Sequence, residues 1–236
     1  MTALRSLLFV ALFYLWSALL AVGAAPICLL GPRRWTMEMM RLWAKGIIAL
    51  LAVVCSVRVE IRGREHIPAG AAVLAPKHQC MFDVFAQFAV LPDACFVMKK
   101  ELMWIPFFSW YAIKAKMIVV DRDGHAAALR KLVKDSQERF AQARQVMIAP
   151  EGTRMAPGAP PDYKPGIAAL YREIDVPVHP VATNAGVHWP KHGFLRKPGT
   201  IVFEYLEPIQ PGLKRAEFMR TLQERLETAS TALLPL

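Results

Sequence analysis

A histidine and an aspartate five positions apart are the groups in this sequence best suited to chemistry. His78 and Asp83 lie in the segment Ala-Pro-Lys-His-Gln-Cys-Met-Phe-Asp, residues 75–83. A carboxylate that accepts from one imidazole nitrogen fixes the tautomer, so the other nitrogen can take a proton from an alcohol. On one helix, five positions turn the chain by about 140°, so the pair can meet only if His78 precedes the helix. Taken alone, the spacing fits a helix-capping aspartate and an incidental turn histidine equally well.

Groups that could hold an anion follow later in the chain. The segment Pro-Glu-Gly-Thr-Arg, residues 150–154, combines a glycine for a tight turn with a hydroxyl and a guanidinium suited to phosphate. Glu151 could hold a neighbouring arginine in place or accept a substrate hydroxyl. For Arg122 the alternative is a salt bridge with Asp121 or Asp123, and for Lys99 it is a solvated surface position. The predicted substrate-binding residues are Lys99, Arg122, Glu151, Gly152, Thr153 and Arg154.

A convincing enzyme nucleophile or metal site is missing from the sequence. None of the six serines neighbours a glycine. Cys80 lies two positions from His78, where side chains diverge. His188 and His192 are separated by Pro190, which argues against a metal-binding helix. We therefore predict that His78 activates a hydroxyl of the substrate itself, with no metal and no cofactor.

Short apolar runs that alternate with helical patterns predict an α/β domain with a largely parallel, mixed sheet of about seven strands flanked by helices. The predicted strands are 57–61, 71–75, 94–98, 117–120, 145–149, 176–183 and 200–206. The predicted helices are 82–91, 101–113, 124–144, 166–173 and 214–232. His78, Arg122 and Glu151 each follow a strand. Because ligands bind beyond the carboxyl ends of such strands, we expect these residues to meet at one edge of the sheet.

The first 56 residues are predicted to form a membrane-associated helical segment, and residues 57–236 the catalytic domain. Residues 6–30 carry no charge and, as a helix of about 25 residues, would measure about 37 Å, enough to cross a bilayer. The apolar run 46–57 would give about 18 Å, which suits a helix in the interface. A single span or a half-buried hairpin fits this pattern. A cleaved signal peptide is the alternative.

The charge distribution favours an anionic membrane surface over nucleic acid as a partner. The net charge is +10 and the pI is about 9.7. Arg5 alone precedes the apolar run, and the cations that follow it are Arg33, Arg34, Arg41 and Lys45. This asymmetry places the catalytic domain in the cytoplasm. Four cysteines without paired metal spacing fit a reducing compartment. The aromatic segment 103–111 could be core, line an acyl-chain groove or dip into the membrane.

Taken together, these residues resemble the glycerolipid acyltransferase family, particularly bacterial 1-acyl-sn-glycerol-3-phosphate acyltransferases. His78 with Asp83 matches the family's His-x4-Asp motif. Residues 119–122 (Val-Val-Asp-Arg) resemble its second motif, residues 150–154 its third, and residues 176–181 (Val-Pro-Val-His-Pro-Val) its fourth. The resemblance covers about residues 57–210. The positions that depart from the family's common residues are Lys77, Lys116, Ala149 and Met155.

The resemblance implies an enzyme of phospholipid biosynthesis at the bacterial inner membrane, with its catalytic domain facing the cytoplasm. His78, held by Asp83, would deprotonate the sn-2 hydroxyl of lysophosphatidic acid. That oxygen would attack the thioester of acyl-CoA or acyl-carrier protein and give phosphatidic acid. The alternatives are another acceptor such as glycerol-3-phosphate or lyso-ornithine lipid, a thioesterase, and a non-enzymatic membrane lipid-binding protein.

Overall fold

A seven-stranded sheet forms the centre of the computed structural model, which describes residues 1–235. The strands are β1 (Val57–Arg62), β2 (Ala72–Pro76), β3 (Ala94–Lys99), β4 (Ile118–Val120), β5 (Gln145–Met147), β6 (Val178–Thr183) and β7 (Gly199–Tyr205), in the order β1-β7-β6-β2-β5-β3-β4. Strands β6, β2, β5, β3 and β4 run parallel, whereas β7 is antiparallel to β6 and parallel to β1. The predicted α/β sheet is confirmed.

Helices cover both faces of the sheet. They are α1 (Thr2–Gly23), α2 (Ala25–Leu30), α3 (Arg33–Cys55), α4 (Phe82–Val90), α5 (Phe108–Lys114), α6 (His125–Phe140), α7 (Pro165–Arg172), α8 (Ala185–His188) and α9 (Arg215–Ala232). Strands β2 and β6 are buried along their whole length. Near-continuous apolar strands are typical of a parallel sheet with both faces covered. A fully buried apolar interior therefore supports the edge of the sheet that carries the polar loops.

Two of the predicted helices are each divided into two elements, and in each a proline lies near the break. The predicted helix over 6–30 ends early because Pro26, in the first turn of α2, cannot donate the hydrogen bond that would continue α1. The predicted helix over 101–113 is a 3-10 turn followed by α5. Pro106 lies between the two, and Phe107 adopts a φ of 61° there. That left-handed conformation is costly for a bulky side chain, which pattern reasoning does not anticipate.

Helices α1 and α3 form an antiparallel hairpin that packs on the α/β domain. Near one end, Arg5 Nη1 donates to Ser56 Oγ (3.2 Å), and farther along, Trp16 Nε1 donates to the Trp43 carbonyl (3.1 Å). The domain holds both ends of α1. Arg196 N donates to Ser6 Oγ (2.8 Å), and the Tyr111 hydroxyl donates to the Ala21 carbonyl (2.7 Å). Helix α1 therefore lies along the domain.

Helix α3 is longer than the predicted interfacial run 46–57 because it begins at Arg33. Its buried face recurs every three or four residues, and the residues of that face are Met37, Met40, Ala44, Ile47, Leu51 and Cys55. This spacing marks one stripe of an amphipathic helix. The stripe joins the same hydrophobic core as the sheet strands. The boundary between residues 56 and 57 stays a prediction.

An ion network ties α3 to the amino ends of the sheet strands. Arg33 binds the Asp93 carboxylate through two hydrogen bonds (2.7 and 2.6 Å), and Arg144 Nε donates to the same carboxylate (3.0 Å). Arg144 was predicted to end the helix 124–144, but α6 ends at Phe140 and Arg144 precedes β5. Arg144 is fully buried and also donates to the carbonyls of Lys116, Ala94 and Ala115.

Asp93→Asn is expected to lower the free energy of unfolding at pH 7 by about 2–3 kcal/mol. Breaking a fully buried ion pair costs about 3–5 kcal/mol, and the Asp93 side chain is 24% exposed. Burial raises the pKa of Asp93, but the hydrogen bonds and charges of Arg33 and Arg144 outweigh it, so the pKa is lowered overall.

A group with a lowered folded pKa stabilises the protein above its unfolded pKa, and that stability is lost as the pH falls through the folded value. The difference between wild type and Asp93→Asn should therefore shrink below about pH 4. Denaturant unfolding at pH 7 and pH 3.5 measures it. Glu60→Gln, at an exposed ion pair with Arg62, is the control and should change little. A pH-independent difference would contradict the network.

Candidate active site

His78 and Asp83 meet at the carboxyl end of β2. His78 lies in the turn after the strand, Asp83 lies in the first turn of α4, and His78 Nδ1 is 3.3 Å from Asp83 Oδ2. The buried carboxylate also accepts the backbone amides of Gln79 (2.5 Å) and Cys80 (2.7 Å). These amides fix the acceptor, so Nδ1 carries the proton and Nε2 is left to accept one. The imidazole is 19% exposed, which leaves it open to a substrate.

Cys80 is unsuited to act as a nucleophile. Its thiol is fully buried and lies 3.3 Å from Asp83 Oδ1, to which it donates. Burial, the negative charge of Asp83 and this hydrogen bond raise the pKa of the Cys80 thiol well above its usual value. Because the thiolate is the reactive form, the cysteine is inert in this position.

The loops that follow β2, β5, β3 and β4 lie at one edge of the sheet, because these four strands are adjacent and parallel. They carry His78, residues 150–154, Lys99 and Arg122 respectively. The Met155 amide donates to the His78 carbonyl (2.8 Å), which joins the β5 loop to the histidine. Gly152 adopts a φ of 63°, as expected for its tight turn.

The cations of this edge separate to two sides of the β5 loop. Arg122 donates to the Gly152 carbonyl, and Lys99 is exposed at the end of β3. Asp121 pairs with Lys100 (2.9 Å), so the alternative salt bridge of Arg122 with Asp121 does not form. On the other side, Arg154 Nη1 reaches the Lys191 carbonyl (3.4 Å) in the loop that follows α8. Thr153 lies between the two sides and is half-buried.

Glu151 occupies a different environment from the predicted one. Its side chain is fully buried, and its counter-charge is the Lys77 ammonium (3.2 Å) rather than an arginine. The contact is an ion pair without directed hydrogen bonds, because both carboxylate oxygens lack a hydrogen-bond partner within residues 1–235. Lys77 also binds Glu227 on α9 (2.5 Å). The buried carboxylate therefore braces the turn behind His78 and does not face a substrate.

Lys77→Met is expected to lower the free energy of unfolding by about 3–5 kcal/mol at pH 8, because it leaves a buried carboxylate without its cation. Burial raises the pKa of Glu151, and Lys77 opposes that shift, so the variant raises the pKa further. An acid with a raised folded pKa contributes stability below its unfolded pKa of about 4.5, and that stability is lost as the pH rises through the folded value.

The destabilisation by Lys77→Met should thus be smaller at pH 5 than at pH 8, as thermal or denaturant unfolding would show. Lys77→Met/Glu151→Gln is the matched control. It removes the buried charge and should recover most of the loss. Equal losses at both pH values, or no recovery in the double variant, would mean that the pair is not the cause.

Four residues that sequence reasoning missed as site residues lie next to His78 or near its loop. Lys77 braces the turn, and Gln79 Oε1 accepts the Gly186 amide (2.8 Å). Trp189 stacks on Phe82 with ring centres 5.4 Å apart, and Arg196 lies 4.0 Å above the Trp189 ring. Lys77 and Gln79 could have been found from their places on either side of His78. No sequence signal connects Trp189 and Arg196 to it.

The sequence matches a known family model and several curated proteins. The acyltransferase family model matches residues 58–184. The 1-acyl-sn-glycerol-3-phosphate acyltransferase of Pseudomonas aeruginosa is 38% identical over 159 residues, which are 67% of this chain and 62% of that protein. The human 1-acyl-sn-glycerol-3-phosphate acyltransferase alpha is 30% identical over 173 residues, 72% of this chain and 60% of that protein. The chain thus spans about three fifths of these curated relatives.

The crystal structure of the 1-acyl-sn-glycerophosphate (LPA) acyltransferase PlsC from Thermotoga maritima shares the fold. It superposes with a TM-score of 0.82 at 21% sequence identity and covers 99% of this chain and 98% of that one. The agreement includes the N-terminal helices as well as the sheet.

Proposed function

The chain belongs to the acyltransferase family, and we propose that it transfers an acyl group from a thioester to the sn-2 hydroxyl of 1-acyl-sn-glycerol-3-phosphate. The product is phosphatidic acid for phospholipid biosynthesis. The observation that carries the proposal is an open imidazole, oriented by a buried aspartate, at a sheet edge that also bears cations. The names of the relatives from Pseudomonas aeruginosa and human, both 1-acyl-sn-glycerol-3-phosphate acyltransferases, support the same reaction.

The reaction proceeds by direct transfer. His78 Nε2 takes the proton of the sn-2 hydroxyl as its oxygen attacks the thioester carbonyl carbon. The tetrahedral intermediate collapses, the carbon–sulfur bond breaks, and the imidazolium returns its proton to the leaving thiolate. Asp83 stabilises the imidazolium between these two steps. His78 takes one proton from the hydroxyl and returns one to the thiolate, so the proposed chemistry uses no metal and no cofactor besides the thioester itself.

The cations position the acceptor. Lys99 and Arg122 lie on one side of the β5 loop and Arg154 on the other, so an anion at this edge meets positive charge from both directions. A guanidinium binds phosphate with planar, charge-assisted hydrogen bonds. A held phosphate places the hydroxyl near the base and converts an encounter into an intramolecular step. Gly152 and Thr153 shape the turn that presents these groups.

Membrane association follows from the N-terminal hairpin. Within residues 1–235, α1 is the one helix long and apolar enough to cross a membrane, with a mean hydropathy of 2.1. Because the domain holds both ends of α1, we place it within one leaflet of the bacterial inner membrane. Arg34 and Lys45 are exposed and suited to anionic lipid on the cytoplasmic side.

The aromatic segment 103–111 extends the apolar surface. Trp104 is 84% exposed and Trp110 is 50% exposed, whereas Tyr111 is buried. Large exposed apolar side chains in a group mark an interaction surface. We include this segment in the membrane-facing surface, which brings the catalytic edge close to its lipid substrate. The donor, acyl-CoA or acyl-carrier protein, approaches from the cytoplasm.

One assay tests the reaction. Purified full-length protein is given labelled acyl-CoA or acyl-carrier protein with lysophosphatidic acid, glycerol-3-phosphate, lyso-ornithine lipid or no acceptor, and the lipid products are identified. We expect phosphatidic acid, formed only with lysophosphatidic acid. Thioester consumption at the same rate without an acceptor would indicate a thioesterase. Binding to anionic vesicles without transfer to any acceptor would indicate a non-enzymatic lipid-binding protein.

A further inference from the structure

A buried arginine near the catalytic edge has no anionic partner. Arg196, in the loop between α8 and β7, is 6% exposed. Its Nη1 donates to the carbonyls of Leu195 (3.0 Å) and Gly193 (3.5 Å), and its Nε has no hydrogen-bond partner in the described part of the chain. No carboxylate of residues 1–235 forms a salt bridge with it. Aromatic faces hold the guanidinium instead, 4.0 Å from the Trp189 ring centre and 5.7 Å from that of Phe9.

An unpaired buried cation is unfavourable, and the protein's other deeply buried arginine is arranged differently. Arg144 is fully buried, but it pairs with Asp93 and donates to three carbonyls. Burial lowers the pKa of Arg196 to about 10, so Arg196 remains charged at neutral pH. Removing such a charge from water costs free energy that an anion in contact with it would offset. The stacking on Trp189 supplies only part of that compensation.

Arg196 lines a cavity of about 250 Å³ between α1 and the loop that follows α8. One wall is apolar and comes from α1 through Phe9, Val10 and Phe13. The other wall carries the cations Arg154, Lys191 and Arg196. An apolar wall on the lipid side with a cluster of cations facing it matches an amphiphile with an anionic end.

The cavity is connected to the catalytic turn. Met81, which lines it, lies three positions after His78 and two before Asp83. Arg154, which also lines it, belongs to the loop whose Met155 amide binds the His78 carbonyl. A ligand held by Arg196 would therefore extend toward the imidazole.

We propose that Arg196, together with Arg154, binds a phosphate group of one of the two substrates in this cavity and so holds the reacting atom beside His78. The inference rests on the proposed acyl transfer and adds Arg196 to the cations that hold a substrate phosphate. Two sources share this chemistry, the phosphate of the lysolipid acceptor and a phosphate of the thioester donor. The apolar wall of α1 favours the lysolipid.

Kinetics of the full-length protein in detergent micelles test the proposal. Arg196→Gln is expected to raise KM for the phosphate-bearing ligand by about 10- to 100-fold and to change kcat by only a few-fold, since charge-assisted hydrogen bonds are lost from binding. Arg196→Lys keeps the charge but loses the planar guanidinium, so KM should rise less than in Arg196→Gln. A higher KM for lysophosphatidic acid identifies the acceptor as the source, and a higher KM for the thioester identifies the donor.

Arg144→Lys is the matched control because it changes a buried arginine at the opposite edge of the sheet. It should lower the unfolding temperature and leave both KM values unchanged. If folded Arg196→Gln also leaves both KM values unchanged, or lowers only the unfolding temperature, the residue is structural and the proposal is wrong. If Arg196→Gln does not fold, Arg196→Lys decides between the same outcomes.

A binding measurement separates this inference from the proposed reaction. Wild type and Arg196→Gln are titrated without the other substrate, with lysophosphatidic acid, with monoacylglycerol that lacks the phosphate, and with free coenzyme A. We expect wild type to bind a phosphate-bearing ligand more tightly than monoacylglycerol, and the variant to lose much of that preference. Equal preference in both proteins would overturn the inference. A wild type that binds with this preference but transfers no acyl group would overturn the reaction alone.

Discussion

Replacing His78 by alanine is expected to lower kcat by at least about 10²-fold while the protein stays folded. The imidazole is the one group at the edge that is both open to a substrate and oriented to accept a proton. Its removal leaves the bound hydroxyl without a base, so the barrier to attack on the thioester rises. KM should change little, because phosphate binding depends on other side chains.

Initial rates of phosphatidic acid formation measure this effect, and circular dichroism with thermal unfolding reports the fold. His66→Ala is the matched control. His66 is also partly exposed, but it follows β1, whose carboxyl end lies at the opposite edge of the sheet. The control should keep nearly full activity. A folded His78→Ala protein with a near-normal rate would remove the proposed mechanism.

Asp83→Asn is expected to lower kcat by about 10²- to 10³-fold and also to destabilise the protein by about 2–3 kcal/mol. The carboxylate accepts from His78 and from the amides of Gln79 and Cys80. All three N–H groups reach Oδ2, so an asparagine with its oxygen there accepts them only through weaker, neutral hydrogen bonds, and its NH2 group can no longer accept from the Cys80 thiol. The negative charge that stabilises the protonated imidazole is also lost.

Single-turnover kinetics and denaturant unfolding separate these two effects. Asp135→Asn, which removes a carboxylate paired with Lys131 on the surface of α6, is the control for the substitution itself and should leave the rate unchanged. An Asp83→Asn protein that is less stable but equally fast would assign the residue a purely structural role. The contact between Asp83 and His78 would then make no contribution to the rate.

The strands are the part of the fold that sequence patterns predict best. Strand β2 is a continuous apolar run, β6 is buried along its whole length, and the alternation with helices allows few topologies. Helix ends were harder to predict. Residues 6–30 read as one apolar run, and hydropathy alone does not show where a chain must fold back on its own domain. Phe107 shows the same limit at a single residue, because nothing in the residue pattern signals its positive φ.

In the candidate site, contacts between residues close in sequence could be predicted, and contacts between distant residues could not. The spacing of His78 and Asp83 allows the two side chains to meet only at a strand–helix turn, and they do meet there. Glu151 lies within a recognisable segment, but its burial against Lys77 depends on α9, far away along the chain. The place of Arg196 in the site depends on a ring contact with Trp189 and on a cavity wall from α1. Such contacts come from packing, which residue spacing does not encode.

The double attachment of α1 has a practical consequence for work on this protein. Membrane enzymes are often made soluble by cutting off an N-terminal hydrophobic helix, but here that cut would take Phe9 and Phe13 out of the interior and bare Trp189 to water. We expect the shortened chain to aggregate through this newly exposed apolar surface and not to remain a soluble catalytic domain. Detergent or nanodisc preparations of the whole polypeptide are the sound starting material.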